Sequence, residues 1–221
     1  NINLSEKLTQ YLIDSRIESI FLEKLVQKNL SSNHNLKKLQ FFSNKRLVKT
    51  LEILSKGLNL IEQLNENNIN YVTLKGFYLT NFIYRSRSLR PINDLDILIC
   101  PNDINRAKMV IEKSNIFPKT LKNFRNIHSK YHFAPRLSED EVVRLEIHHN
   151  IFKNSNEKIN ELLFSSKSYE FIGDIKIPTL STEHNLLHII FHGTSKGNFD
   201  VGIQYLFDVM EIISKENIDY L

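Results

Sequence analysis

The chain has 221 residues, enough to bury a substantial core as one large domain or two small ones. Hydrophobic residues make up 41% and charged residues 24%, a globular composition that excludes a chain dominated by disorder. The formal net charge of +4 suits phosphate-bearing ligands, but the excess is too small and dispersed to indicate a nucleic-acid partner.

Cysteine usage and the lack of long apolar runs bound the cellular setting. Cys100 is the only cysteine, which excludes an intrachain disulfide and a cysteine-based zinc site. It ends an apolar run, which favours a buried side chain, and a reducing, cytoplasmic location follows as an expectation. The short apolar runs argue against a membrane partner, and residues 1–7 lack a signal-peptide pattern. The chain begins without Met, so we expect it to be trimmed.

Residues 1–70 predict an N-terminal helical region. Two helices are expected before residue 30, followed by a polar break over residues 31–36. Ser43 is expected to cap a third helix, because apolar residues recur every three or four positions from Leu47 onwards. Gly57 weakens that helix slightly.

Residues 71–178 predict a sheet core, because the apolar period changes from that of a helix to that of strands. The expected elements are a strand at 71–74, a helix at 77–84, a strand at 95–100, a helix to residue 114, an antiparallel pair at 131–137 and 142–148, and a hairpin at 171–177.

Residues 179–221 predict a C-terminal helical region that we expect to be truncated. One helix begins near Ser181 or Thr182, and a last one spans 203–214. Its side chains expected to face inward are Leu206, Phe207, Met210 and Ile213. The order of elements predicts an α+β fold, a mixed β-sheet flanked by helices.

Two carboxylates carry the strongest chemical signal. Asp94 and Asp96 alternate with Leu95 and Ile97, so on a strand both acids point to one face. Two neighbouring carboxylates repel each other unless a cation lies between them. Carboxylate oxygens suit Mg²⁺, which shares its coordination with water and phosphate. The pair therefore predicts a magnesium site, although a solvated strand edge carries the same pattern.

A third acid lies on the later strand over residues 142–148. Glu146 and His148 alternate with apolar residues and share one face. If this strand lies beside that of Asp94, three carboxylates converge, as a two-metal phosphoryl-transfer site requires. His148 becomes a candidate contact for a phosphate or an acceptor.

The residues that carry this signal also match a known family. The runs are Val72-Thr73-Leu74-Lys75-Gly76, Arg90-Pro91-Ile92-Asn93-Asp94-Leu95-Asp96 and Glu146-Ile147-His148. They resemble an uncharacterised nucleotidyltransferase family of the DNA polymerase beta-like superfamily, whose members show a Leu-Lys-Gly strand end, an Arg-x-x-x-Asp-x-Asp strand and a later Glu-x-His strand. The resemblance covers roughly residues 45–213 and is sharpest between Val72 and Cys100.

The resemblance implies a nucleotidyltransferase fold and an enzyme that uses one or two Mg²⁺ ions. It transfers a nucleoside monophosphate from an NTP, for which ATP is a candidate, to a hydroxyl of an unknown small molecule or protein. Asp94, Asp96 and Glu146 become metal ligands and catalytic residues, with Glu146 also helping to deprotonate the acceptor. Lys75, Gly76 and Arg90 become nucleotide-binding residues.

One departure from the family pattern leaves a second reading open. Superfamily members usually carry Gly-Ser in the turn before the acidic strand, whereas this chain has Lys75-Gly76-Phe77. Gly76 still permits close backbone approach, and Lys75 supplies a positive charge. The alternative is a catalytically inactive module that senses nucleotides or binds a partner in an antitoxin-like role.

A histidine ladder supports a third, weaker reading. His184, His188 and His192 recur every fourth residue and therefore share one helical face, which is a spacing that can bind zinc. No accompanying carboxylate completes a zinc-protease motif, so a role in packing or in lining a groove is favoured. Asp208, in the last helix, is interpreted as structural, with capping or pairing with a basic core residue as its two candidate roles.

Overall fold

The computed structural model describes residues 4–26, 34–121, 133–151, 157–195 and 203–215. These residues form helices α1 (Glu6–Asp14), α2 (Glu18–Val26), α3 (His34–Glu66), α4 (Lys75–Tyr78), α5 (Ile104–Ser114), α6 (Glu157–Ser165), α7 (Thr182–Ser195) and α8 (Gln204–Lys215). A π-helical segment, Leu79–Ile83, continues α4, and a 3-10 turn, Pro101–Asp103, precedes α5. No helix in these ranges is both long and apolar enough to cross a membrane.

Seven strands form one mixed sheet. They are β1 (Tyr71–Thr73), β2 (Asp94–Ile99), β3 (Lys119–Thr120), β4 (Arg136–Leu137), β5 (Arg144–His148), β6 (Ser168–Ile172) and β7 (Ile175–Thr179). Their order is β3-β4-β5-β2-β1-β7-β6. The pairs β2–β5 and β1–β7 are parallel, and the other pairs are antiparallel. The predicted α+β fold is confirmed, whereas the domain limits at residues 70 and 178 stay a prediction.

Both faces of the central strands are covered. Leu95 and Ile97 of β2 lie in the main apolar core with side chains of α3 and α5. Leu98 points to the other face and packs in a second cluster with Leu163 of α6 and with Leu180. Because side chains alternate along a strand, Asp96 shares the face of Leu98. The Asp96 side chain therefore lies on the face of the sheet that packs against α6.

Helix α3 begins earlier than the sequence pattern predicts. It starts at His34, so Ser43 lies in its interior and does not cap it. The polar break is wrong for residues 34–36, and residues 31–33 lie outside the described ranges. The Ser43 hydroxyl is buried and lies 2.7 Å from the hydroxyl of Ser19 in α2. Its partner is a side chain on a neighbouring helix, which sequence spacing alone does not reveal.

Gly57 marks the closest approach of α3 to the segment after β1. A Cβ atom at this position would lie 2.9 Å from the Phe77 ring, and Phe77 is fully buried. The glycine that weakens the helix in isolation therefore permits the packing that places α4.

Helix α8 uses a different buried face from the predicted one. Gln204, Asp208 and Ile212 are buried. Three of the side chains expected to face inward are instead 43–62% exposed, namely Leu206, Met210 and Ile213. The physical reason is a buried ion pair, because Asp208 binds Arg90 and this contact sets the rotation of the helix.

Candidate active site

The register between β2 and β5 brings the acidic residues together. The two strands are parallel, and Asp96 lies directly opposite Glu146, with Asp94 opposite Arg144 and Leu98 opposite His148. Asp96, Glu146 and His148 are buried on the same face of the sheet. The sequence-based expectation that the two strands are neighbours is met, and three predicted site residues share one location.

The turn after β1 places a lysine against this group. Lys75 Nζ donates to Asp96 Oδ1 at 2.7 Å. The backbone N–H of Leu74 donates to the Asp96 carbonyl at 3.1 Å, which ties the turn to β2. Lys75 has a φ of +45°, a left-handed conformation that is unfavourable for a residue with a side chain. Such strain is typical of functional positions held by the surrounding fold.

Gly76 lets the turn lie against the loop that precedes β2. A Cβ atom there would be 2.4 Å from Ile92 Cγ2, which is closer than atoms can approach, and 3.2 Å from Ile92 Cβ, which is a tight contact. Any larger residue at position 76 must therefore displace the Ile92 side chain. Since Asp94 follows two residues later, glycine at this position keeps the acidic strand in place.

The charges around Asp96 form a buried network. His148 Nε2 lies 2.7 Å from Asp96 Oδ1. Burial alone would raise the pKa of Asp96, but Lys75 and His148 outweigh it and hold this pKa well below its usual value. Burial and the nearby Lys75 lower the pKa of His148, which favours the neutral imidazole with its proton on Nε2. Despite burial, Asp96 raises the pKa of Lys75, which stays protonated.

Asp94 has the opposite electrostatic character. Burial and the Asp96 charge raise its pKa to about 6. Lys75 and Arg144 oppose this shift, and Glu146 adds to it. The positive charge that the protein places near Asp94 does not offset burial and the neighbouring acids. A bound cation would lower the pKa of this carboxyl.

The donor set fits a divalent metal ion. Ligand atoms of Asp96, Glu146 and His148 lie within 4.8 Å of one another, which is the spacing of groups that share one ion. Asp94 lines the same cavity, where burial and the charge of Asp96 raise its pKa to about 6. The carboxylate oxygens of this set suit Mg²⁺ or Mn²⁺, and His148, whose Nε2 lies against Asp96, would orient that ligand.

The cavity beside these residues has a volume of about 260 Å³. It is lined by Arg16, Lys75, Gly76, Arg90, Ile92, Asn93, Asp94, Asp96, Glu146, His192, Gln204 and Tyr205. A larger open cavity of about 580 Å³ lies at the β6–β7 hairpin, but the buried acids do not line it. The smaller cavity is therefore the candidate active site.

Arg90 lines the cavity, and its guanidinium also makes three internal contacts. Nε and Nη2 donate to the two oxygens of Asp208 at 2.6 and 2.9 Å, and Nη1 donates to the Pro91 carbonyl at 2.8 Å. The Tyr84 hydroxyl donates to the same carboxylate at 2.8 Å. Asp208 thus pairs with a basic core residue, as interpreted from the sequence. The nucleotide contact of Arg90 stays a prediction.

The histidine ladder lies along α7 without forming a metal-binding group among the described residues. His184 Nδ1 lies 3.1 Å from the Ser166 hydroxyl, and His188 is buried. His192 lines the cavity and stacks on Tyr205 with 5.4 Å between ring centroids. Of the three histidines, His192 therefore packs α7 against α8 and forms part of the cavity wall.

Five residues of the cavity were not predicted as site residues from the sequence. Arg16 lies between α1 and α2, and Gln204 and Tyr205 belong to α8, so no local motif marks them. Ile92 and Asn93 lie in the run from Arg90 to Asp96 that carries the family resemblance, and this position was the available signal.

Comparisons with known proteins agree with this geometry. A family model described as "uncharacterised nucleotidyltransferase" matches residues 4–220. A search of curated proteins gave no match. Among solved structures, the fold is similar to an antigenic nucleotidyltransferase-like protein from Paracoccidioides brasiliensis. The two chains share 17% identity, with 74% of this chain and 76% of that chain covered and a TM-score of 0.50.

A second similar structure is the antibiotic-resistance factor ANT(2'')-Ia. It shares 9% identity, covers 75% of this chain and 84% of that chain, and has a TM-score of 0.50. At these identities the likeness shows the fold alone, and the assignment rests on the family model, which spans nearly the whole chain. The chain belongs to the uncharacterised nucleotidyltransferase family, as its motifs predicted.

Proposed function

We propose that this protein is a Mg²⁺-dependent enzyme that transfers a nucleoside monophosphate from an NTP, such as ATP, to a hydroxyl of a small molecule or protein. The observation that carries the proposal is the register of β2 and β5, which puts Asp96 opposite Glu146 beside the cavity lined by Asp94. Membership of the nucleotidyltransferase family supports the reaction class.

In the proposed reaction the acceptor oxygen forms a bond to the α-phosphorus of the NTP. The bond between that phosphorus and the oxygen bridging to the β-phosphate breaks, and pyrophosphate leaves with the bonding electrons. The acceptor proton passes to Glu146, whose carboxylate lies at the cavity wall. Asp94, Asp96 and Glu146 would hold Mg²⁺, which supplies positive charge to the triphosphate and orients it.

The remaining site residues have supporting roles in this proposal. Lys75 places an ammonium beside Asp96 and adds positive charge at the phosphate end of the cavity. Gly76 keeps the turn close to the Ile92 loop, so that backbone rather than side chain faces the nucleotide. Arg90 adds a second positive charge, held in place by Asp208. His148 orients Asp96 and is the proposed contact for a phosphate or an acceptor.

Pyrophosphate release from Mg-NTP, measured against a panel of hydroxyl acceptors, tests the function. Asp94→Asn should reduce the rate by a factor of about 10³ or more, because it removes a charge that holds the metal. The matched control is Asp174→Asn, which changes a carboxylate in the turn of the β6–β7 hairpin, away from the cavity lined by Asp94. Full activity of Asp94→Asn would rule out the proposed role of this carboxylate.

The contact between Lys75 and Asp96 favours one alternative, a nucleotide-sensing or partner-binding module without turnover. The ammonium already neutralises the carboxylate that the metal requires, and the superfamily's usual Gly-Ser turn is replaced by Lys75-Gly76-Phe77. Calorimetry with Mg-NTPs reports binding, and pyrophosphate release reports turnover. Tight binding with no turnover over a broad acceptor panel supports the sensing module.

A further inference from the structure

The guanidiniums of Arg16, Arg46 and Arg90 lie near one another, and two of them, Arg16 and Arg90, line the cavity. Arg16 lies between α1 and α2, and Arg46 and Arg90 are close enough to repel it electrostatically. Arg46 is neutralised by Glu18 at 2.6 Å, and Arg90 is neutralised by Asp208. Within the ranges that the structure describes, Arg16 has no carboxylate at ion-pair distance. Among the described residues, Arg16 is therefore the one of the three arginines without a carboxylate partner.

The contact of Arg16 inside the protein is a neutral one. With its amide oxygen turned to the guanidinium, Asn93 accepts hydrogen bonds from Nη1 and Nη2, the second at 2.9 Å. A guanidinium has five N–H donors in a planar fork, so donors remain for a second group. Asn93 is adjacent to Asp94, and this contact therefore aims Arg16 at the start of the acidic strand.

The backbone of Arg16 is held in an unfavourable conformation. Its φ is +58°, in the left-handed region, where a side chain costs about 1 kcal/mol or more. The backbone N–H donates to the Ile13 carbonyl, and the next N–H, that of Ile17, donates to the Leu12 carbonyl, both at 3.1 Å. These bonds close α1 and direct the chain towards α2. The arrangement brings the side chain of Arg16 to the cavity wall, together with Lys75 and Asp94.

We propose that Arg16 binds the outer (β and γ) phosphate groups of the nucleotide, so that the junction of α1 and α2 completes the nucleotide site. This inference rests on the proposed function. A planar fork with spare donors suits phosphate oxygens, which accept two parallel hydrogen bonds. Of the other cations at the carboxylates, Lys75 is already bound to Asp96 and Arg144 to Glu146, whereas Arg16 is held only by an amide.

The charge of the cavity favours a metal-bound phosphate over a carboxylate as the ligand of Arg16. Asp94, Asp96 and Glu146 give this wall three acidic groups, and a carboxylate entering alone would be repelled. A triphosphate enters with its own metal ion, which offsets those charges, and its outer phosphates still need cations. Arg16, which is held by Asn93, supplies such a cation at the cavity wall.

Calorimetric titration of the purified protein tests the inference. The probes are the Mg-NTP that binds most tightly and the corresponding nucleoside monophosphate, and the variants are Arg16→Gln and Arg16→Lys. We expect Arg16→Gln to weaken Mg-NTP binding about tenfold, equivalent to about 1.4 kcal/mol, with monophosphate binding unchanged. Arg16→Lys keeps the charge without the fork and should lose about threefold. Arg85→Gln, which removes an exposed guanidinium paired with Glu23, is the matched control and should bind as wild type.

The possible outcomes separate this inference from the function on which it rests. Wild-type protein that binds no Mg-NTP would overturn both. Wild-type binding with equal affinity in Arg16→Gln would overturn the role of Arg16 alone, as would equal losses for the triphosphate and the monophosphate. A change confined to the KM of the acceptor would also overturn it, because Arg16 would then bind an anionic acceptor. If Arg16→Gln does not fold, Arg16→Lys replaces it in the same comparison of triphosphate binding with monophosphate binding.

Discussion

Lys75 Nζ and Asp96 Oδ1 lie 2.7 Å apart, and both side chains are almost completely buried. In the metal-free protein the ammonium therefore supplies the counter-charge that a strand carboxylate needs. The proposed metal ion would offset the same negative charge that Lys75 offsets in the metal-free protein.

The first prediction concerns this pair. Lys75→Met should destabilise the metal-free protein by about 3 kcal/mol, since it leaves a buried carboxylate without its nearest cation. Saturating Mg²⁺ should recover much of the loss. Lys56→Met, which removes an exposed pair with Asp140, should change stability by no more than about 1 kcal/mol. Thermal unfolding with and without Mg²⁺ checks this, and an equal loss under both conditions would contradict it.

The second prediction concerns the pH dependence of metal binding. The pKa of Asp94 is raised to about 6 by burial and by Asp96. A proton and a metal ion compete for this carboxylate, so Mg²⁺ affinity should fall about tenfold between pH 7 and pH 5. Calorimetric titrations with Mg²⁺ across that range measure the effect, and a flat profile would refute it.

The third prediction concerns the stability of the metal-free protein, which depends on the same raised pKa of Asp94. The pKa of Asp94 is higher in the folded state, so its contribution to stability is greatest below pH 3.8 and is lost as pH rises through about 6. Asp94→Asn should therefore be more stable than wild type at pH 8, by on the order of 1–3 kcal/mol. The difference should shrink towards pH 4. Denaturant unfolding at several pH values without metal tests the sign.

The fourth prediction concerns the buried pair of Arg90 and Asp208. Either Arg90→Met or Asp208→Leu alone should cost about 3–5 kcal/mol, because a buried charge is left unpaired. The double variant should lose much less than the sum, since no charge remains. Arg106→Met, which breaks an exposed pair with Asp103, is the control and should cost less than about 1 kcal/mol. Additive losses in the double variant would show that the two side chains act independently.

The fifth prediction reverses a usual expectation for helices. Gly57→Ala should destabilise the protein by about 1–3 kcal/mol, although alanine is favoured over glycine in a helix by about 1 kcal/mol. The added Cβ would lie 2.9 Å from the buried Phe77 ring. Asn59→Ala, at an exposed position of the same helix, should be neutral or slightly stabilising. Denaturant unfolding of the two variants gives opposite signs if the packing argument is correct.

The strand pattern of the site was readable from the sequence because it depends on a period of two. Alternation put Asp94 and Asp96 on one face, and the structure pairs Asp96 with Glu146. Neither fact needs knowledge of distant helices. The Leu-Lys-Gly strand end was also local, although the φ of +45° at Lys75 was not visible in the sequence.

The missed features depend on contacts between distant segments. The apolar stripe of α8 predicted a buried Met210, but the bond from Arg90 to Asp208 turns that stripe outward. Ser43 has the chemistry of a helix cap, yet it meets Ser19 inside the bundle. Arg16 belongs to no motif, and only the folded chain brings it to Asn93. Tertiary partners decided each of these cases against the local preference.

Because β2 and β5 are parallel and in this register, binding of the proposed metal ion would depend on correct pairing of the two strands. Asp96 and Glu146 belong to separate segments and meet because Leu95 faces Leu145 and Ile97 faces Ile147 in the same ladder. A slip of one residue would send Glu146 to the opposite face and replace it with an apolar neighbour. Magnesium would then stabilise the correct alignment selectively, so a titration of the ion measures how much of the protein has paired its strands correctly.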